Sequence, residues 1–316
     1  MGVLPTALAA LSLLQAVQAP LTKKSYVFKE AAGLKIELDV HRADDAESRP
    51  VLAWIHGGAL IMGSRAGVPR DLLDLCRSEG YALVSIDYRL APQAKVADII
   101  EDVKDAFRWI RGKGVELAHL DPKKLVVAGG SAGGYLTLMT GICVEPRPVA
   151  LVAYYGYGDV DGDWYTKPSA FYRQSLPIYD RDETLKALAP DVVTSPPDKA
   201  QGTARSQYYH YLRQNGLWTR EVTGFEPEKE RAKLDPYCPV RNVTPAYPPT
   251  MLLHGSEDTD VPYDLSAAMA KELERHKVLH ELVTVPGAGH GFSGGDKKLV
   301  AEVYAKARAY IKDKLK

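Results

Sequence analysis

The sequence predicts an α/β fold with a mostly parallel central sheet, helices on both faces and an inserted cap. Short apolar runs of strand length alternate with segments whose apolar residues recur at helical spacing, which favours parallel strands joined by helices. The strand-like runs are apolar at successive positions, as expected for strands covered on both faces. The alternation stops over residues 159–243 and then resumes, and that stretch is too long for a connecting loop.

The predicted elements begin at residue 23. Apolar and polar residues alternate over 25–29 and 34–40 around a central Ala-Gly pair, which predicts a hairpin. Buried strands are predicted at 51–55 and 82–86, with a helix over 71–78 between them. The next helix ends at Gly112 and Gly114, and its apolar face follows the i, i+3, i+4 rule through Val96, Ile99, Ile100, Val103, Phe107 and Ile110.

The second half of the chain repeats this order. A strand ending near 128, a helix over 135–143 and a strand over 149–153 precede the interruption, which contains helical fragments at 182–188 and 206–215. A strand at 249–254, a helix at 264–276, a strand at 280–285 and a closing helix at 297–314 follow it. The prediction therefore has an N-terminal apolar extension (1–22), one main domain (23–158 and 244–316) and an inserted cap (159–243).

Charge and cysteine content exclude several classes of protein. The chain has 40 basic and 40 acidic residues among 316, whereas proteins that bind nucleic acid usually carry a basic excess. Cys76, Cys143 and Cys238 are far apart and lack metal-binding spacing, so they form no disulfide framework. We interpret them as buried free thiols, with one pair at most.

The first nineteen residues support two interpretations. Residues 3–19 are apolar, and Val17-Gln18-Ala19 resembles a signal-peptide cleavage site. However, no Lys or Arg precedes the run, and it is shorter than the roughly 20 apolar residues of a membrane span. The protein is secreted if residues 1–19 are a cleaved signal peptide, and cytoplasmic if they form a helix packed on the domain. No stable membrane span is predicted.

A serine in a glycine cluster is the first candidate for chemistry. The pattern Gly129-x-Ser131-x-Gly133 lies between a predicted strand and a predicted helix, which is the nucleophile-elbow arrangement. The turn pushes the serine hydroxyl clear of the sheet, and the close backbone packing around it favours glycine two residues to either side. The helix that begins at the serine favours negative charge there.

A base and an acid are expected at the same edge of the sheet. His290 lies in a glycine-rich loop directly after the last predicted strand, and Glu257, Asp258 and Asp260 follow the strand before it. The carboxyl ends of such strands usually carry the site of an open α/β sheet. We select Asp258 because Gly-x-x-Asp-x-x-Val-Pro is the usual arrangement after this strand. Asp260 is the alternative, and Glu257 is expected to cap or solvate the loop.

Oxyanion stabilisation needs N–H donors near the serine. One candidate is the N–H of Ala132, which follows the nucleophile. The others lie in the loop His56-Gly57-Gly58-Ala59, where glycines let the backbone approach a substrate closely. We expect His56 to be a structural hydrogen-bonding residue. The order Ser131, Asp258, His290 along the chain is the order of the α/β-hydrolase triad.

These motifs resemble the α/β-hydrolases of the esterase/lipase group, which includes the hormone-sensitive-lipase-like carboxylesterases (the α/β-hydrolase fold-3 group). The resemblance implies the α/β-hydrolase fold, a triad of Ser131, Asp258 and His290, and no cofactor or metal. It also implies an oxyanion hole from the glycine loop and Ala132. The motifs are His56-Gly57-Gly58-Ala59, Asp87-Tyr88-Arg89-Leu90-Ala91-Pro92, Gly129-Gly130-Ser131-Ala132-Gly133-Gly134, Gly255-Ser256-Glu257-Asp258 and Gly289-His290-Gly291-Phe292.

The chain departs from the group's pattern in three places. Ala59 stands where the group has a third glycine, although an alanine N–H can still donate. The N-terminal cap helices of the group are missing or reduced to residues 1–22. The Gly-x-x-Asp form around Asp258 also occurs in prolyl-oligopeptidase-like and dienelactone-hydrolase-like relatives. The segment Asp87–Pro92 is structural in the group, as a turn that supports the nucleophile.

The resemblance predicts a serine hydrolase that cleaves small-molecule carboxylic esters of small or medium acyl chain. One alternative is an amidase or exopeptidase of the prolyl-oligopeptidase-like type, although 316 residues leave no room for a propeller. Another is a catalytically inactive, receptor-like homologue, but such proteins typically lose the serine or histidine that this chain has. The oligomeric state stays open.

Aromatic residues in and beside the cap have two possible roles. They either pack the cap onto the sheet or line a pocket for a small acyl or aromatic ester. They are Tyr154, Tyr155, Tyr157, Trp164, Tyr165, Phe171, Tyr172, Tyr208, Tyr209, Tyr211 and Trp218.

Overall fold

An eight-stranded sheet forms the centre of the computed structural model, which describes residues 20–316. Its strands are β1 (Leu21–Ala31), β2 (Leu34–Ala43), β3 (Arg49–Ile55), β4 (Ala82–Ile86), β5 (Leu120–Gly130), β6 (Ala150–Tyr154), β7 (Thr250–Gly255) and β8 (His280–Val285). They lie in the order β1-β2-β4-β3-β5-β6-β7-β8. The β1–β2 and β2–β4 pairs are antiparallel and all the others are parallel, which confirms the predicted mostly parallel sheet.

Helices cover both faces of this sheet, as predicted. The helices before the cap are α1 (Arg70–Glu79), α2 (Val96–Arg111), α3 (Lys113–Ala118) and α4 (Ala132–Cys143). Those of the cap segment are α5 (Asp163–Thr166), α6 (Ala170–Ser175), α7 (Arg181–Ala187), α8 (Lys199–Asn215), α9 (Trp218–Thr223) and α10 (Pro227–Glu230). The last two are α11 (Tyr263–Arg275) and α12 (Lys297–Leu315). Apolar residues of α2, α4 and α11 pack on one face, and those of α1 and α12 on the other.

Several bounds differ from the sequence prediction, including the start of α8, which lies at Lys199 rather than at 206. Strand β1 begins at Leu21, two residues before the predicted start of the main domain. Gly114, predicted to end a helix, instead lies inside α3. A Cβ at this position would lie 2.9 Å from Leu120 Cδ1 and 3.0 Å from Trp109 Cζ3. The glycine therefore serves close packing rather than helix termination. The two interpretations of residues 1–19 lie outside the described residues.

The segment predicted as a cap is built around packed aromatic rings. The Tyr165 ring stacks on Trp164 at 3.5 Å and on Trp218 at 3.7 Å between ring centroids. The Trp218 indole also donates a hydrogen bond to the carbonyl of Ala59 at 3.0 Å, which joins the cap to the glycine loop. Most of the aromatic side chains are buried, as the packing interpretation expects, whereas Phe171 is exposed. The division of the chain into domain and cap stays a prediction.

The three cysteines are free thiols, and Cys76 and Cys238 are buried while Cys143 is half-buried. Burial raises the pKa of both Cys143 and Cys238 to about 12, so both thiols stay protonated at neutral pH. Among residues 20–316, no helix has the length and apolar character needed to cross a bilayer.

The contact between α4 and the end of β3 can be tested by Gly133→Ala. A Cβ on Gly133 would lie 2.0 Å from the carbonyl oxygen of Ile55 and 2.6 Å from that of His56. We expect this variant to lose at least about 2 kcal/mol of unfolding free energy, measured by denaturant unfolding. The control is Gly202→Ala in α8, where a Cβ would meet only Pro196 Cβ at 3.9 Å. That change should stabilise the protein by roughly 0.5–1 kcal/mol. Unchanged stability of Gly133→Ala would contradict the packing described here.

Candidate active site

Ser131 occupies a strained turn between the central strand β5 and helix α4. Its backbone has φ 56° and ψ −122°, a conformation that costs roughly 1–3 kcal/mol in a non-glycine residue. The turn is held by hydrogen bonds from the Ser131 N–H to the Tyr154 carbonyl and from the Tyr135 N–H to the Ser131 carbonyl, both 2.9 Å. A Cβ on Gly129 would lie 2.3 Å from the Gly133 carbonyl oxygen. The glycines of the motif are therefore required by backbone contact.

The structure brings Ser131, His290 and Asp258 into one hydrogen-bonded chain. Nε2 of His290 lies 3.0 Å from Oγ of Ser131, and Nδ1 lies 2.7 Å from Oδ2 of Asp258. The three residues follow β5, β8 and β7, whose carboxyl ends lie at the same edge of the sheet. The side chain of Asp258 is fully buried, whereas that of His290 is 25% exposed. The histidine can thus meet a ligand while its carboxylate partner cannot.

Asp258 has more hydrogen-bond partners than the sequence motif revealed. Its Oδ1 accepts the N–H groups of Asp260 and Val261, both at 2.9 Å. Its Oδ2 also lies 3.3 Å from Nε2 of His254. Burial alone would raise the pKa of Asp258, but the hydrogen bonds from His254 and His290, the charge of His290 and the Val261 N–H hold it well below its ordinary value. The carboxylate therefore stays ionised.

His254 was not predicted as a site residue, although it directly precedes the Gly-x-x-Asp motif. Its ring is fully buried, with Nε2 2.9 Å from the Val261 carbonyl and Nδ1 2.7 Å from the Ser266 hydroxyl. Because both neighbours of Nε2 are oxygen acceptors, we assign the proton to Nε2. His254 then donates towards Oδ2 of Asp258, the same oxygen that His290 contacts.

Asp260, the alternative acid, occupies a different position. Its Oδ2 lies 3.6 Å from Nε2 of His290, on the nitrogen that faces Ser131, while Asp258 takes Nδ1. Its Oδ1 accepts hydrogen bonds from Tyr172, Tyr209 and Arg213. These three residues belong to α6 and α8 of the cap segment, and no sequence motif marked them.

The two carboxylates act together on His290. Burial and the charge of Arg213 lower the pKa of the imidazole, but the hydrogen bond that His290 donates to Asp258 and the charges of Asp260 and Asp258 outweigh these two effects. The pKa of His290 is therefore raised above its ordinary value. A raised pKa favours proton uptake by Nε2, which is the atom closest to the Ser131 hydroxyl.

The glycine loop after β3 comes close to Ser131. A Cβ on Gly57 would lie 2.7 Å from the Gly130 carbonyl oxygen and 3.2 Å from Ser131 Cβ. Gly58 has φ +110°, and its carbonyl accepts the N–H groups of Ile61 and Met62 at 2.9 Å. In the described part of the chain, no acceptor pairs with the N–H groups of the four predicted donors, Gly57, Gly58, Ala59 and Ala132.

His56 is a structural residue of this loop, as predicted. Its side chain is buried and its ring stacks on that of Tyr88 at 4.2 Å between centroids. Its Nδ1 lies 2.7 Å from the Gly57 carbonyl, and burial lowers its pKa to about 4 against the effect of that hydrogen bond. A neutral imidazole at this position supports the loop. Nearby, the buried carboxylate of Asp87 accepts the Arg65 N–H at 2.7 Å and pairs with the Arg65 guanidinium.

The described residues contain no group of three or more His, Cys, Asp or Glu side chains arranged to hold a metal ion. The groups that the structure brings together at this edge of the sheet are a serine hydroxyl, an imidazole, two carboxylates and unpaired backbone N–H groups.

The electrostatics of His290 can be tested by NMR titration of its imidazole C–H signals, assigned with His290→Gln. We expect a pKa above 6.5 that falls in Asp260→Asn, because that change removes one of the charges that raise it. The control is Asp163→Asn, since Asp163 is an exposed carboxylate paired with Lys167, and it should leave the titration unchanged. A midpoint at or below 6.5, or no response to Asp260→Asn, would contradict this description.

Several known proteins are similar to this chain in sequence or in fold. A family model described as BD-FAE matches residues 38–154, and the prolyl oligopeptidase family model matches residues 200–316. Esterase LipC of Mycobacterium tuberculosis is 29% identical over 81% of this chain and 56% of its own length. The non-reducing polyketide synthase pkbA of Emericella nidulans is 26% identical over 85% of this chain but only 13% of the synthase. The chain thus spans only part of these relatives.

Solved structures share the fold. A Staphylococcus aureus protein of unknown function superposes with a TM-score of 0.72 at 20% identity, covering 93% of this chain and 100% of that protein. Thermogutta terrifontis esterase 2, phosphoramylated by tabun, superposes with a TM-score of 0.64 at 22% identity, covering 92% and 94%. In agreement with the motifs and the strand order, these similarities show that the chain has the α/β-hydrolase fold.

Proposed function

We propose that this protein is a serine hydrolase that cleaves carboxylic esters of small or medium acyl chain through an acyl-enzyme. The observation that carries the proposal is the hydrogen-bonded chain from Ser131 Oγ through His290 to Asp258. A serine, a histidine and an acid in this geometry generate a nucleophile and move its proton. The unpaired N–H groups beside Ser131 supply the remaining requirement, which is stabilisation of an oxyanion.

Acylation begins when Oγ of Ser131 attacks the ester carbonyl carbon and its proton passes to Nε2 of His290. Asp258 holds the Nδ1–H, which keeps Nε2 free to accept and stabilises the imidazolium that forms. When the tetrahedral intermediate collapses, the bond to the alcohol oxygen breaks and Nε2 returns the proton to that oxygen. The acyl group remains bound to Ser131.

The oxyanion of the intermediate is assigned to the N–H groups of Ala132 and the glycine loop of Gly57, Gly58 and Ala59. Loss of one such donor typically costs on the order of 3 kcal/mol of transition-state stabilisation. Water then attacks the acyl-enzyme by the same route, with Nε2 as base and then acid, and releases the carboxylic acid. No step requires a cofactor.

The relatives support ester hydrolysis. LipC is named an esterase, and Thermogutta esterase 2 has been solved phosphorylated by paraoxon and with bound butyrate. Organophosphates of this kind modify the nucleophilic serine of hydrolases, and butyrate is a short acyl product. By analogy, a small or medium acyl group fits the present proposal.

Amide hydrolysis is a second candidate, because the prolyl oligopeptidase model matches residues 200–316, which include Asp258 and His290. Comparing kcat/KM for p-nitrophenyl butyrate with kcat/KM for aminoacyl p-nitroanilides separates the two. We expect the ester to be preferred, with activity lost by several powers of ten in Ser131→Ala. Preference for the anilides would overturn the esterase proposal. Hydrolysis of neither would favour the inactive, receptor-like alternative.

The roles proposed for the two aspartates predict different costs of substitution on p-nitrophenyl butyrate. In Asp258→Asn, the N–H groups of Asp260 and Val261 hold the amide oxygen at the Oδ1 position. The amide NH₂ group then faces His290 Nδ1 and favours the wrong tautomer. We expect kcat/KM to fall by roughly 10³–10⁴-fold. Asp260→Asn does not touch Nδ1 and should cost far less. The opposite ranking would transfer the role of acid to Asp260.

A further inference from the structure

The two oxygens of Asp260 have different surroundings. Oδ1 accepts from the Tyr172 hydroxyl at 2.9 Å, from Arg213 Nη1 at 2.5 Å and from the Tyr209 hydroxyl. Three donors saturate this oxygen. Oδ2, by contrast, has no hydrogen-bond donor within residues 20–316, and its charged neighbour is Nε2 of His290 at 3.6 Å, too long for a hydrogen bond.

The cap holds this carboxylate in place through Arg213. The guanidinium is 2% exposed and lies 4.8–5.7 Å from the ring centroids of four aromatic residues, which suits its delocalised charge. Its Nη1 also donates to the Asp260 carbonyl at 2.9 Å. Asp260 is thus fixed at both its backbone and its side chain, and its charge is balanced. The four rings are Trp164, Tyr165, Tyr172 and Tyr209.

The side chain of Asp260 keeps contact with solvent. It is 18% exposed, whereas Asp258, on the other side of His290, is completely buried. A saturated Oδ1 leaves Oδ2 as the oxygen with free acceptor capacity. Since Oδ2 of Asp260 lies beside Nε2 of His290, this free acceptor is next to the nitrogen that transfers the proton.

In a bound ester, Oδ2 of Asp260 would lie beside the alcohol part. In the proposed mechanism, Nε2 hands its proton to the departing alcohol oxygen. An acceptor close to Nε2 therefore flanks the alcohol, whereas the acyl group is attached to Ser131. The pair of Asp260 and Arg213 is neutral overall, and the adjacent imidazolium repels cations in the transition state. A neutral donor such as a hydroxyl fits better here than an ammonium group.

We propose that Oδ2 of Asp260 is a binding subsite for a hydroxyl group carried by the alcohol part of the ester. This inference rests on the proposed ester hydrolysis and narrows its substrate class to monoesters of diols and polyols. The hydroxyl donates to Oδ2 while the neighbouring ester oxygen lies beside Nε2. A bound substrate displaces water from this site. A simple alkyl ester then offers no hydrogen-bond donor to Oδ2, and the carboxylate oxygen is left without a partner.

The test compares kcat/KM for 2-hydroxyethyl butyrate and propyl butyrate, which differ only in a terminal hydroxyl or methyl group. A hydrogen bond to a charged group contributes about 1.5–3 kcal/mol, so we expect the hydroxyethyl ester to be preferred by at least roughly tenfold. 2-Methoxyethyl butyrate has the same oxygen but no proton to donate, and it should lose the preference. This arm needs no variant and is independent of protein stability.

Asp260→Asn gives the matching change in the protein. The three donors around Oδ1 hold the amide oxygen there, so the NH₂ group takes the place of Oδ2 and replaces an acceptor by a donor. The preference for the hydroxyethyl ester should fall to about that for the methoxyethyl ester. Tyr172→Phe is the control, because it removes one donor from Oδ1 and leaves Oδ2 unchanged, so it should retain the preference.

The outcomes separate this inference from the function on which it rests. If the parent protein hydrolyses hydroxyethyl and propyl esters equally well, or if Asp260→Asn keeps the preference, the subsite is overturned and the esterase proposal stands. A changed pH profile in Asp260→Asn with an unchanged ester preference would also overturn the subsite. If neither ester is hydrolysed, the proposed function fails and the subsite fails with it.

Discussion

The site depends on the close backbone contact between the turn at Ser131 and the end of β3. There is no room for a side chain on Gly129, Gly133 or Gly57, because each is packed against a neighbouring carbonyl. This contact holds a strained serine at the end of the central strand and brings the glycine loop, with its unpaired N–H groups, beside it. The sheet holds Ser131 in its strained conformation, because β5 is paired with β3 on one side and β6 on the other.

Around His290, two carboxylates have separate tasks. Asp258 is buried, hydrogen-bonded on both oxygens and contacted by His254 as well as by His290, so its task is to orient the imidazole. Asp260 is partly exposed beside Nε2 of His290, and Tyr172, Tyr209 and Arg213 bind it to the cap. The loop after β7 thus carries both Asp258, which orients the His290 imidazole, and Asp260, which links His290 to the cap. Movement of the cap would therefore change the charge environment of the nitrogen that carries the proton.

Much of this could be predicted from sequence, and the rest could not for physical reasons. Ser131, Asp258 and His290 were predicted because each follows a strand in a short motif, and parallel strands bring such loops to one edge. Arg213 and Tyr209 had no such signal, since they lie in an aromatic-rich segment whose contacts with Asp260 are purely tertiary. His254 directly precedes a motif, but its role depends on a fold of the loop that spacing does not reveal. Gly114 was misinterpreted because a glycine needed for packing and one that ends a helix look alike in sequence.

The central claim is that Ser131 is a nucleophile activated by His290 and held by Asp258. The most direct measurement is the mass of the tryptic peptide that contains Ser131 after exposure of the folded protein to a fluorophosphonate. We predict one covalent adduct on Ser131, formed much more slowly in His290→Gln and absent in Ser131→Ala. An unmodified Ser131 in folded protein, or an adduct that forms equally fast without His290, would contradict the account.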